Sequence, residues 1–537
     1  MKEEKFKNKY RIKSTRHPEW DYNDDGMYYV IICTDNKICY FGNIINEEMK
    51  LNNIGEIVNK FWLEIPEHFK NVELDEYIIM PNHIHGIIFI CNDDIDEAVR
   101  DGRGRDVAPQ RLYGGKYKFM NKKLFKNKLR QTKPEIMSPI RDWASLEACK
   151  NYADAVYFGL SELTMRANAD VFTLRNLNSF VRKCHGYGIK AYLTVNSVLY
   201  NDDIKVAEKI IKKAKEVGVD AVIVWDPAAI EIARKFKMKF FISTQANISN
   251  WQTALFYKKL GASRVVLARE MTLKQISELS DRVGSALGGK KKVGDLEIET
   301  FVHGAMCWSI SGRCLLSAAI YGKSANCGTC GQPCRKEWIL EDDEGNKIST
   351  EGKYFMSAKD LCMIEHVPEL IKAGIDSFKL EGRRRDPRYI ETVSRCYRKA
   401  VDAYFDGSYT KEKVKQWKQE LAGVYNREMS TGFFFGQPGP EGISYDKADN
   451  VATVKKTRAG IVTKYYPKIK VALVKLTDRG VKQGEEIVIE GAKTYLRQKI
   501  KSIGLDKQKV GSVSKGQEVG IAVEKRVKIG DNIFIIN

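Results

Sequence analysis

Long apolar runs are missing from this sequence. No stretch of about 18 consecutive apolar residues occurs in its 537, so no membrane-spanning helix is expected. The N-terminal stretch MKEEKFKNKYRIKSTRHPEW carries charges but no apolar core and does not read as a secretory signal. A reducing cytoplasm is the expected compartment, and disulfides are disfavoured there. A His-Glu-x-x-His zinc helix and a nucleophile-elbow motif are also missing, which removes two routes to hydrolysis. Acidic residues are scarce in two segments. Residues 101–133 hold 11 Lys/Arg against 2 Asp, a net of +9, and residues 451–537 hold 19 Lys/Arg against 8 Asp/Glu, a net of +11. The whole chain has a net charge of +20, so the middle is close to neutral. Two basic segments suggest a polyanionic partner, RNA or DNA. A lysine-rich soluble surface gives the same composition.

Cysteine is what the chain gathers. Of 12 cysteines, six (Cys307, Cys314, Cys327, Cys330, Cys334 and Cys362) fall within positions 307–362, five of them in one Gly-, Ser- and Asn-rich run. An apolar core takes cysteines one at a time. Convergent thiolates are what a soft metal or an iron–sulfur cluster requires. The pattern leaves open whether a [4Fe–4S] cluster or zinc is held.

A chain of this length implies two to four domains. MYYVIICT at 27–34 and VELDEYIIMPNHIHGIIFI at 72–90 read as strands, with an amphipathic helix at 54–68 broken near Pro66. His83 and His85, two apart on a strand, share one face and form a candidate pair for a divalent cation. Two surface histidines on an edge strand are the alternative. From residue 134, eight short apolar runs (134–140, 153–159, 190–196, 220–226, 239–245, 263–269, 297–303 and 376–382) alternate with helical patterns. Runs without polar alternation are what parallel strands buried on both faces look like. Eight such units predict a (β/α)8 TIM-like barrel with a Cys-rich insertion after strand seven; an open doubly wound sheet is the alternative. Asp386 and Pro387 are placed to start the last helix. Active sites of such barrels lie at the C-terminal strand ends, which here carry Asn196, Asp226, Gln245, Arg269, Glu270, His303, Glu381 and Arg383. Asp226, beside Pro227, reads better as a helix cap. Residues 451–537 give short strands between glycine turns and predict a small β-barrel. The expected division is 1–100, an α+β ferredoxin-like domain; 101–133, a basic linker; 134–408, the barrel; 409–450, a helical and Gly/Pro linker; and 451–537.

Several longer motifs carry a family resemblance. Glu299-Thr-Phe-Val-His-Gly-Ala-Met-Cys307, Ser-Gly-Arg-Cys314-Leu-Leu-Ser, Cys330-Gly-Gln-Pro-Cys334-Arg, Ser357-Ala-Lys-Asp-Leu-Cys362 and Phe378-Lys-Leu-Glu-Gly-Arg383 resemble blocks of the collagenase-like peptidase family U32. Ser243-Thr-Gln-Ala-Asn247 and Leu267-Ala-Arg-Glu270 match as well, and the resemblance runs from about residue 134 to the C-terminus. It implies either peptidase activity or, in the branch these blocks resemble, oxygen-independent hydroxylation of a tRNA or rRNA base, with a [4Fe–4S] cluster and a small carboxylate donor such as prephenate. The resemblance carries Cys307, Cys314, Cys330 and Cys362 over as ligands, with Cys334 as substitute and Cys327 outside the set. Arg269, Arg383 and His303 would bind donor carboxylates, Glu270 and Glu381 would handle protons, and Asn196 and Gln245 would contact substrate. The C-terminal module resembles the second domain of translation elongation factors and would dock RNA.

At the other end, TRHPEWDYNDDGMYYVIICT, FGNIINEEMKLNNIGEIV, Met80-Pro-Asn-His-Ile-His-Gly86 and Gly104-Arg-Asp-Val-Ala-Pro-Gln-Arg-Leu-Tyr113 resemble REP-associated tyrosine transposases of the insertion-sequence-200-like type. That family implies a metal at His83 and His85 and a nucleophilic tyrosine on a later helix. Only Tyr113 and Tyr117 are near, beside a Gly-Gly turn. The module reads as truncated, with DNA binding kept and transposition chemistry lost. Three readings therefore compete: RNA hydroxylase, peptidase, and a catalytically silent nucleic-acid-binding fusion.

Overall fold

A computed structural model describes residues 26–34, 38–45, 48–69, 71–90, 132–165, 171–287, 295–307, 309–348, 353–445, 450–506 and 508–537. Tyr113, Tyr117 and nearly all of the basic 101–133 segment lie outside them. The chain divides into two units, residues 1–121 and 122–537.

In the first unit, strands Gly26–Cys33, His83–Ile90 and Val72–Met80 form an antiparallel sheet in that order. Helix Asn53–Leu63, capped by the Asn52 side chain, is followed by a short helix Ile65–His68 with Pro66 in its first turn. Ile84 points into a small core with Trp62 and Ile79. Gly86 sits under Trp62, where a Cβ would come within 1.9 Å of the indole ring. His83 and His85 alternate with these positions and so lie on the opposite face.

In the second unit, eight strands run parallel: Glu135–Pro139, Ala155–Gly159, Lys190–Thr194, Ala221–Val224, Phe240–Ile242, Arg264–Val266, Glu297–Gly304 and Ser377–Leu380. Each pairs with the next, and the eighth pairs with the first, so the sheet closes. All eight coincide with the apolar runs of the sequence, because both faces are buried. One face meets the surrounding helices in a large core. The other forms a separate cluster of Met137, Ala155, Tyr157, Tyr192, Ala221, Ile223 and Phe241. A buried ion network lies beside it. The Arg264 guanidinium donates to Glu135 at 2.7 Å, Glu297 at 2.7 Å and Glu299 at 2.9 Å, and Lys379 donates to Glu299 at 2.9 Å.

Strand seven outruns its neighbours. Its end pairs antiparallel with Asp360–Cys362, His303 opposite Cys362. The Cys-rich excursion therefore leaves and re-enters the sheet at one place. The last barrel helix, Pro387–Phe405, is capped by Asp386, whose side chain accepts from Tyr389 N at 2.9 Å. The C-terminal strands form an eight-stranded antiparallel sheet around one core. Strands Glu486–Gly491 and Asn532–Ile536, which carry the two rhyming sequence segments, pair with each other. This sheet packs on helix Trp143–Cys149 through Val488 and Tyr495.

Candidate active site at the barrel mouth

The strand ends supply a continuous polar floor. The Asn196 amide accepts from Met165 N at 3.1 Å and donates to Ser243 Oγ at 3.2 Å, with Gln245 Oε1 3.5 Å away. Ser243 also donates to Gln245. Asp226 caps helix Pro227–Lys235 through Ala228 N.

Two arginines expected to bind substrate make hydrogen bonds to the framework. Arg383 donates to Thr164 Oγ1 at 2.9 Å, to Thr194 Oγ1 at 3.1 Å and to the Met165 carbonyl, locking the loop after strand two to strand three. Arg269 donates to the Ala305 carbonyl at 2.8 Å and lies 3.9 Å over the Phe301 ring. Glu270 accepts from Ser311 N at 2.8 Å, tethering the cysteine run to strand six, while its Oε2 is buried without a hydrogen-bond partner among the described residues.

His303 is 3% exposed, and burial holds its imidazole down to about pKa 3. It is a neutral ring at pH 7, so it offers no positive charge to a carboxylate. The Tyr397 hydroxyl lies 3.5 Å from its Nδ1. Gly304 follows with φ +101°, and a Cβ there would stand 2.5 Å from the Glu381 carbonyl oxygen. Only glycine allows strands seven and eight to approach this closely at the mouth.

A pocket of about 220 Å³ opens beside them, lined by Ala305, Gln332, Glu381, Gly382, Arg384, Arg385, Tyr425 and Arg427. The Arg385 guanidinium lies 3.3 Å over the Tyr425 ring, and Arg384 donates to the Cys330 carbonyl at 3.2 Å. Sequence reasoning missed Arg384, Arg385, Tyr425 and Arg427. Arg384 and Arg385 continue a strand end already singled out, a signal that was there to use; Tyr425 and Arg427 come from the expected linker.

Burial first, and then the charges of Cys307, Cys330 and Cys314, push the Cys334 thiol up against the opposing pull of Arg335. These four sulfurs therefore share one field. Cys314 Sγ accepts from Leu316 N at 3.4 Å and Cys330 Sγ from Gln332 N at 3.4 Å. Arg335 clamps the run by donating to the carbonyls of Met306 and Ala358 and to Ser357 Oγ. Cys362 sits on the strand paired with His303, buried, with the Tyr397 hydroxyl beside it, and burial pushes its thiol up to about 11. Cys334, the substitute in the resemblance, lies near enough to Cys307, Cys330 and Cys314 to feel their charge. Among the described residues no three His, Cys, Asp or Glu groups stand close enough for a single metal ion.

In the first unit the His83 and His85 rings are 4.6 Å apart, centroid to centroid. His83 Nδ1 is 2.6 Å from Asn82 Oδ1, and the Tyr29 hydroxyl meets His85 Nδ1. Burial, then the neighbouring His85, lower the His83 pKa. No helix among the described residues is long and apolar enough to cross a membrane.

Residues 142–444 match the family model described as Peptidase family U32. An uncharacterized protease of Methanocaldococcus jannaschii is 41% identical over 408 residues, covering 75% of this chain and 98% of its own. A collagenase of Porphyromonas gingivalis is 37% identical over 404 residues, covering 74% of this chain and 97% of its own. The tRNA hydroxylation protein P1 of Bacillus subtilis is 38% identical over 317 residues, covering 58% of this chain and 72% of its own.

Proposed function

Because the chain belongs to peptidase family U32, with relatives named as proteases and as a tRNA hydroxylation protein, we propose that it is an enzyme that hydroxylates a base of structured RNA, tRNA or rRNA, without molecular oxygen. The observation that carries this reading is a pocket walled by arginines at the edge of the cysteine run, where Arg384 donates to the Cys330 carbonyl at 3.2 Å. A [4Fe–4S] cluster held by Cys307, Cys314, Cys330 and Cys334 would supply electrons one at a time. Zinc is the alternative occupant and would make the run purely structural. Arg384, Arg385 and Arg427 line the pocket, and they replace Arg269, Arg383 and His303 as the groups that bind the carboxylates of a small donor such as prephenate. Glu381 on the pocket wall moves a proton. Asn196 and Gln245 present amides to the base.

The peptidase reading is weaker on chemistry. A histidine held near pKa 3 is a poor general base at neutral pH. For the first unit we propose DNA contact without transposition chemistry, with a divalent cation at His83 and His85. Its support is the pairing of two imidazoles on one sheet face.

The test is anaerobic purification with iron, sulfide and zinc assays, joined to mass spectrometry of RNA nucleosides from cells with and without the protein. About four irons and four sulfides per chain, and a hydroxylated nucleoside lost in Cys314→Ser cells, are expected. One zinc, or iron with no RNA difference and gelatin cleavage instead, refutes the reading.

A further inference from the structure

We propose that the hairpin joining strands Lys456–Tyr466 and Val471–Leu476, with the loop at 524–530 beside it, docks the structured RNA away from the reacting base; this rests on the RNA reading above. The turn is Tyr466-Pro-Lys-Ile-Lys470, and Lys464, Lys468 and Lys470 are exposed. Val523 N donates to the Lys470 carbonyl at 2.8 Å and Gly530 N to the Val462 carbonyl at 2.9 Å. Those bonds hold the second loop alongside, with Lys525, Arg526 and Lys528 exposed. The acidic groups nearby are already engaged. Glu524 pairs with Lys501 at 2.8 Å, Glu518 accepts from Thr463 at 2.7 Å, and Asp531, 3% exposed, accepts from Lys528 N at 2.7 Å. Six cations therefore stand together on two hydrogen-bonded loops.

The patch is more than charge. Tyr466 is 37% exposed, Ile469 67% and Ile529 72%, and the Lys464 ammonium lies 5.1 Å over the Tyr466 ring. A merely solvated lysine face has no use for apolar side chains held outward among its cations. A nucleic-acid surface uses both, cations for phosphates and apolar or aromatic groups for sugar and base.

Its position suits the mouth. At the far end of the same strand, Lys456 donates to Asp386 at 3.2 Å, and Asp386 caps the helix that begins just after the Arg383–Arg385 run. Ten residues of strand separate Lys456 from Tyr466, at most about 35 Å. RNA anchored at the hairpin would have to cross no more than that span to present a nucleotide to the pocket. Such an anchor distinguishes a structured RNA from a free nucleotide, which the pocket alone does not.

The test uses the full-length, anaerobically purified protein and unfractionated tRNA in filter binding, from about 50 to about 300 mM salt. One variant combines Lys468→Gln, Lys470→Gln, Lys525→Gln and Arg526→Gln; the other is Tyr466→Ala. The first should lower the slope of log K against log salt by about 3–4, one per cation, and weaken binding at least ~10-fold at low salt. Tyr466→Ala should weaken binding by about 5-fold or more with the slope unchanged, and it reads out even if the fourfold variant fails to fold. Wild-type affinity and slope in both variants would overturn the docking surface while leaving the hydroxylation reading standing. Duplex DNA bound as tightly as tRNA would overturn the choice of RNA. Wild-type protein that binds neither tRNA nor rRNA fragments would overturn both proposals.

Discussion

Replacing Arg264 with Met should expose how much of the barrel depends on its buried charges. Arg264 is 2% exposed and serves Glu135, Glu297 and Glu299 at once. Burial alone would raise the Glu135 pKa, but Arg264 first and Lys190 second bring it down from 4.5 to about 2. Removing one member of a buried ion set strands its partners, at a cost of about 4 kcal/mol. Lys379 still meets Glu299 and Lys190 still meets Glu135, which keeps the loss from growing larger. The pH dependence follows from the sign of the shift. Glu135 is depressed in the folded state, so its contribution is present above pH 4.5 and lost as pH falls toward 2. In Arg264→Met only Lys190 remains to oppose burial, so most of that depression is gone and the carboxyl takes up a proton earlier. The gap between wild type and variant should therefore narrow by about 1 kcal/mol between pH 7 and pH 4. Urea unfolding followed by tryptophan fluorescence at both pH values measures it. A gap below about 1 kcal/mol at pH 7, or one that widens on acidification, refutes the reasoning.

His303 acts in the same direction from a higher pH. Its folded pKa of about 3 against 6.5 means that stability is complete above pH 6.5 and falls toward pH 3, by up to about 5 kcal/mol; a His303→Asn variant should show a flatter acid limb in thermal unfolding. Gly304→Ala places a Cβ against the Glu381 carbonyl at positive φ and should cost about 2–3 kcal/mol, read by calorimetry. Cys334→Ser should purify without bound iron while Cys362→Ser keeps it, as measured by iron per chain. Asp386→Ala removes a cap and an ion pair to Lys456 and should cost about 1–2 kcal/mol in urea unfolding.

The barrel was legible because burial on both faces writes a continuous apolar run, and each run became a strand. Helix starts at Asp226 and Asp386 were legible because a cap needs only local residues. The direction of a long side chain was not. Arg269 and Arg383 stand at strand ends, yet each turns back to backbone or threonine oxygens, and sequence position does not specify that. Cys362 and Cys334 look equivalent by spacing. The short strand that pairs Cys362 with His303 is a tertiary event, and it turns that thiol toward Tyr397. Tyr425 and Arg427 reach the pocket from a segment that reads as spacer, with nothing local to mark them. The interior charges had a faint signal: Glu299 and Lys379 interrupt strands that are otherwise apolar.

The antiparallel bridge between His303 and Cys362 has a consequence for how the barrel tolerates change. Strand eight pairs with strands one and seven without any residue of the cysteine excursion, so the closed cylinder does not depend on it for its hydrogen bonds. The chain between the two bridge residues is a single large loop with both ends anchored, and lengthening such a loop costs little entropy. The excursion is therefore the part of this half of the molecule that can change length while the cylinder beneath it keeps its register.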